Sequence, residues 1–331
     1  METPSYIYFV IVSILVFNVF GHFGNVNMII LYIKKPNLRT HYGCLLVILC
    51  ACQSVCLLFE LINVYFAIKG YVLGNVIRRT ECFEVLFPYV FFNAFQADVV
   101  AAIAVDFLLC ISFPLRYRNF KRNYYLPCLL VLPLTHGLYI VLFGFRYLDD
   151  QPIKLCNPPS ALFPAVNTVN YIICLVSAAA TLASYVLGYA LLYFKSQKRT
   201  RIAVERKALR SISVLVVIFL SNRFMAMLFV NLLTLFGASK QLIVITQDVL
   251  VIFALICFSQ TFYVCYLRSY EYRSMLNSQL SCFVRIVRPD FSSKPTALVA
   301  QQSMTDIRRG AFRTQRQTSL QQLNTTFKTF N

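Results

Sequence analysis

Seven runs of apolar residues, separated by short polar connections, set the pattern of this chain. They lie at Tyr6–Ile33, Gly43–Ile68, Cys82–Ile111, Leu126–Phe145, Ala165–Phe194, Ser211–Phe236 and Leu242–Leu267. Each reaches the ~20 residues that a helix needs to cross a bilayer. None alternates apolar and polar positions as a barrel strand would, so helices must satisfy the backbone in lipid. The pattern therefore predicts an all-α membrane protein, a seven-transmembrane helix bundle over residues 1–267. A short amphipathic helix is expected over 268–283 along the membrane surface after the seventh span. The polar, basic remainder, 284–331, is rich in Ser and Thr and is expected to be a disordered tail.

Composition agrees and removes the alternatives. Of 331 residues, 58% are hydrophobic and 13% charged, against roughly 45–50% and 25% in soluble domains. Mean hydropathy is +0.64. A soluble fold would expose much of that surface and aggregate, and 30 Phe with 20 Tyr are too much apolar material for a disordered chain. The net charge of +18 would suit a nucleic-acid binder if it were spread over a folded surface. Here the basic residues sit between apolar runs, so no nucleic-acid partner is implied. The first, third and fifth connections and the tail hold 24 Lys and Arg, whereas the second, fourth and sixth connections hold 6. The positive-inside rule then places the N-terminus outside and the tail in the cytoplasm. Only five residues precede the first span, which is expected to act as the signal anchor.

Two of the twelve cysteines stand apart. Cys82 opens the third span at its outer end and Cys156 lies in the second outer loop, both on the oxidising side where a disulfide persists. Paired, they would pin that loop over the mouth of the bundle; the alternative is two free thiols. Cys282, at the end of the expected surface helix, is a palmitoylation candidate. His22, His41 and His136 are scattered without ligand spacing, so neither a metal nor a cofactor is implied.

Six charged residues fall inside the spans: Glu60, Glu84, Asp98, Asp106, Arg223 and Asp248. Each costs at least ~2.5 kcal/mol at mid-membrane, so each is expected to face the bundle interior or water. Arg223 needs a counter-ion, and Glu60 and Asp248, at comparable depth, are its candidates. Together they mark either a ligand pocket or a structural ion pair. Asp98 and Asp106, on one helix, stand ~12 Å apart along its axis, too far to share a proton. No phosphate-binding loop, His-Glu-x-x-His or Gly-x-Ser-x-Gly is present, and the chain is read as no enzyme.

Several short motifs now fall into a familiar order. Gly24-Asn25 lies in the first span, Leu38-Arg39-Thr40 in the first inner loop, and Cys82 precedes Asp106 by 24 residues. Phe113-Pro114-Leu115-Arg116-Tyr117 follows. In this order on seven spans, the chain resembles a rhodopsin-like G protein-coupled receptor from Gly24 to Tyr272. It departs from that pattern at Phe107, which replaces the motif arginine, at Gln53 in place of the second-span Asp, and at Arg223 near the usual switch Trp. Ser259-Gln260-Thr261-Phe262-Tyr263 replaces Asn-Pro-x-x-Tyr. These departures, with Cys56–Leu61, Leu155–Pro159 and Arg268–Arg273, are similar to the nematode serpentine chemoreceptors of class SX.

That resemblance implies a chemosensory receptor, working in signal transduction and olfaction, in the plasma membrane of sensory cilia. It implies an external small-molecule or small-peptide ligand and a heterotrimeric G protein, with arrestin and membrane lipid as further partners. Asp106, Arg116 and Tyr263 are expected on the G-protein side. Thr318 and Ser319, behind Arg313 and Arg316, are phosphorylation candidates. The rivals are a seven-helix ligand-gated ion channel, favoured by the missing arginine, and a transporter, which would be expected to show repeated halves.

Overall fold

The computed structural model describes residues 5–153, 155–196, 217–218, 221, 229, 232–233 and 236–287. Its helices are α1 (Ser5–Lys34), α2 (His41–Ala67), α3 (Arg79–Ser112), α4 (Pro114–Tyr117), α5 (Arg122–Arg146), α6 (Pro158–Ala161), α7 (Pro164–Ser196), α8 (Lys240–Val249), α9 (Val251–Arg268) and α10 (Tyr270–Val287). Among the described residues, six helical spans are long and apolar enough to cross a membrane. They coincide with six of the seven expected runs, with ends that agree within four residues. The largest offset is at α5, where Arg122-Asn123-Tyr124-Tyr125 extends the helix beyond its apolar stretch. The remaining run, Ser211–Phe236, lies mostly outside the described residues; Val217, Phe229 and Leu232 within it are helical.

Local chemistry explains where the helices begin and end. Thr40 caps α2, its hydroxyl accepting from Gly43 N at 3.1 Å; such a cap is worth ~1 kcal/mol. The outer end of α2 widens into a π-turn, Ile68–Val72, and Gly74, at φ +69°, reverses the chain. Strand β1 (Ile77–Arg78) then pairs antiparallel with β2 (Pro152–Ile153), and α3 starts directly from it. Between α8 and α9 the helix breaks at Leu250.

α3 is the axis of the bundle, packing against α2, α5 and α7, while α1 packs against α2 and α9. The helices carry apolar residues on both faces, so their outer sides present Phe9, Val19, Leu142 and Val186 where lipid would lie. The core is formed by residues such as Leu49, Leu57, Phe83, Leu86, Tyr89 and Phe258. Residues Met1–Leu276 form one unit and Asn277–Asn331 another. In the first, Tyr272, Met275 and Leu276 of α10 turn toward the core. Helix α10 thus occupies the segment expected to be amphipathic and runs four residues further, to Val287.

Close approach of α1 and α9 depends on a missing side chain. A Cβ at Gly24 would stand 2.8 Å from Phe262 Cβ, a distance real structures do not tolerate. Neither atom can swing away, because both are fixed to backbone. Gly24→Ala should therefore force the helices apart and cost ~1–3 kcal/mol by overpacking. The expected result is a lowered thermal midpoint of the purified protein; an unchanged midpoint would contradict this packing.

Candidate functional site

A folded loop is fastened to the outer end of α3. Cys82 and Cys156 form a disulfide with Cα atoms 5.5 Å apart, and Leu155, Cys156, Ala161 and Leu162 are buried beneath the loop's polar surface. Arg79, at the start of α3, holds both arms: Nη1 donates to Asp149 at 2.5 Å and Nε to the Ser160 carbonyl at 3.2 Å. Arg78 donates to Asp150, which also accepts from the Thr80 hydroxyl at 2.7 Å. Asn157 caps α6 by accepting from Ser160 N, and Lys69 donates to Glu81. Glu84, two residues into the outer turn after Cys82, is exposed.

Two further buried acids lie on α8 and α2. Asp248 of α8 accepts from Tyr6 of α1 at 3.2 Å and from Tyr71 of the π-turn at 2.9 Å. Glu60 of α2 accepts from the Tyr89 hydroxyl of α3 and from Asn63 Nδ2, the latter at 2.8 Å. Arg223, expected to pair with one of them, lies outside the described residues.

The centre of the bundle holds a polar knot that spacing alone does not reveal. Asp98 of α3 meets His136 Nδ1 of α5 at 2.7 Å and accepts from the Ser177 hydroxyl of α7. All three are buried. The available signal is a polar residue inside each of three apolar spans; nothing in the sequence says that they share one point. A similar knot joins α2 and α9: Gln53 donates to the Cys257 carbonyl at 3.0 Å and accepts from Thr261 at 2.8 Å. Asn25 donates to the Phe258 carbonyl at 3.0 Å.

At the inner end, Asp106 is buried and accepts from Tyr117 of α4 and Tyr125 of α5, each at 2.9 Å. The His41 ring packs against both tyrosines. The carboxylate that in the resembling receptors precedes an arginine is thus tied to two phenols of the second inner loop. Arg116 is exposed on α4. The Tyr263 hydroxyl donates to the Phe20 carbonyl of α1 at 3.0 Å. Cys282 falls within α10, whereas Thr318 and Ser319 lie outside the described residues.

Residues 18–280 match the family described as the serpentine type 7TM GPCR chemoreceptor Srsx. The chain belongs to this family. No curated protein matches it. Membership makes the chain a multi-pass membrane receptor rather than an enzyme, and supplies the seventh span that the described residues leave incomplete. Ligand binding and G-protein coupling follow for Srsx receptors in general terms.

Charge on the outer loop gives this Srsx receptor an acid-sensitive feature. The Thr80 hydroxyl, with Arg78 beside it, holds the Asp150 carboxyl below its ordinary 3.8. A depressed folded value means that the group stabilises the loop above the ordinary carboxylate range and stops doing so as pH falls through the folded value. Asp150 is exposed, so the effect is small and local. Hydrogen–deuterium exchange across residues 147–163 should accelerate at about pH 3 relative to pH 7, beyond the intrinsic pH effect. Corrected rates that are equal at the two pH values would contradict the contact.

Proposed function

We propose that this Srsx receptor binds an external small molecule or small peptide beneath the Cys82–Cys156 loop and activates a heterotrimeric G protein. The carrying observation is that a disulfide anchors the second outer loop to the start of α3 while the Asp248 carboxylate gathers Tyr6 and Tyr71 from the ends of α1 and of the π-turn. A ligand shifts the inactive–active balance only through different affinities for the two states. Contact near Glu60, Arg223 or Asp248 supplies that difference, by competing for buried charge.

On the cytoplasmic side, Asp106, Arg116, Tyr263 and the basic inner connections contribute to the G-protein surface. Most of those basic charges set topology and meet anionic lipid. Phosphorylation at Thr318 and Ser319 would add about −1.5 to −2 charge each and convert a basic tail into an arrestin-docking segment. Palmitoylation of Cys282 would tether α10 to the inner leaflet. The plasma membrane of sensory cilia in chemosensory neurons is the site of action that this reading assigns.

Purified receptor in liposomes with a heterotrimeric G protein tests the proposal, with nucleotide exchange and ion conductance recorded on the same samples. Fractions of a chemically mixed extract serve as stimulus. Stimulated exchange without current is expected, with a shifted dose–response in Arg223→Leu at retained surface expression. Current without exchange would make the chain a channel and overturn the receptor reading.

A further inference from the structure

Glu60 and Asn63 of α2 and Tyr89 of α3 form a polar spot enclosed by apolar packing. Glu60 is fully buried, and its two oxygens accept from Tyr89 and Asn63. Among the described residues no lysine, arginine or histidine pairs with it. An ionised carboxylate buried without a cation is strongly disfavoured, so hydroxyl and amide donors answer only part of its need. Asn63 turns its amide nitrogen to the carboxylate, and its Oδ1, also buried, has no hydrogen-bond partner.

The same seam continues inward with the same imbalance. Gln96 Nε2 lies 3.7 Å from Cys56 Sγ and donates to Asn93 Oδ1 at 3.3 Å. Its Oε1 is buried and unpartnered. The facing surfaces of α2 and α3 therefore carry an excess of acceptors: a carboxylate and two amide oxygens. Aromatic rings flank the spot, with Phe59 stacked on Tyr89 at 6.4 Å and Phe258 edge-on to it at 6.2 Å. No cluster of three or more His, Cys, Asp or Glu suited to a metal is found among the described residues.

A carboxylate, an open amide oxygen and aromatic rings share one complement, a positively charged group with several N–H donors. We propose that Glu60 and Asn63 recognise the protonated amine of this receptor's external ligand, an inference that rests on the receptor reading above. Phe59, Tyr89 and Phe258 provide the walls that favour a cation over a neutral group. Reaching Glu60 requires the α2–α3 seam to part. Amine binding is thereby coupled to helix position, which is the differential affinity that signalling requires.

The test needs no natural ligand. Full-length receptor in detergent is unfolded thermally with benzylamine or 2-phenylethylamine, and with their N-acetyl derivatives, which keep the ring and lose the charge. At about 10 mM probe, the amines are expected to raise the midpoint by about 2–4 °C and the acetylated forms to leave it unchanged. Glu60→Gln, nearly isosteric, should abolish the rise. If that variant does not fold, Asn63→Ala should diminish it. Equal shifts with amines and acetylated forms, equal shifts in wild type and variant, or no shift with either amine would each overturn the proposal. The last result would leave Glu60 answered within the chain itself. Because no G protein takes part, an amine-specific shift stands even where nucleotide exchange fails, and the two readings fail separately.

Discussion

Lipid offers no hydrogen bond, and this constraint shapes how the buried acids of the bundle are placed. A carboxylate that water does not reach must find its donors within the protein. Asp98 finds His136 and Ser177, Asp106 finds Tyr117 and Tyr125, Asp248 finds Tyr6 and Tyr71, and Glu60 finds Tyr89 and Asn63. Three of these four knots involve α3. That explains why α3 is the axis: Asp98, Asp106 and Tyr89 give it polar attachments to α7, α5, α4 and α2, at three depths. Apolar packing alone discriminates weakly between rotations of a helix in lipid, whereas one buried acid with two partners fixes a rotation.

The two ends of the bundle use the constraint differently. Outside, ion pairs and a disulfide hold a loop whose polar side meets water, and individual charges there contribute little each. Inside, Asp106 ties the second inner loop to α3 through neutral phenols, with no arginine following it in the chain. A tether built on tyrosine hydroxyls gains less from Coulomb attraction than an arginine–acid pair and depends more on geometry. This fits a receptor that also replaces the seventh-span Asn-Pro with Ser259-Gln260 and lets Gln53 and Thr261 bridge α2 to α9.

Much of the architecture was legible because lipid imposes length and hydropathy directly on the sequence. The runs Tyr6–Ile33 and Ala165–Phe194 need no tertiary information to be recognised as spans, and Cys82 and Cys156 are singled out by compartment. The partners of the acids were not legible. Whether Asp98 meets His136 depends on how α3 and α5 rotate against each other, and 38 residues separate the pair. Tyr117 stands in a sequence motif and Tyr125 in none, and nothing in the sequence brings both hydroxyls to Asp106 until the loop between α3 and α5 folds back. Asp248 was visible as a buried charge, yet its phenols come from α1 and from a π-turn that no periodicity announces.

The most direct test of this account is the stability of three chains: wild type, Tyr117→Phe/Tyr125→Phe, and the same pair combined with Asp106→Leu. If buried acids are tolerated only because hydroxyls answer them, removing both phenols strands a carboxylate, and removing the acid as well relieves it. The account predicts that the double variant has the lowest thermal midpoint and that the triple variant recovers part of the loss. A triple variant no more stable than the double would contradict it, and would make apolar packing rather than hydrogen bonding the source of the bundle's order.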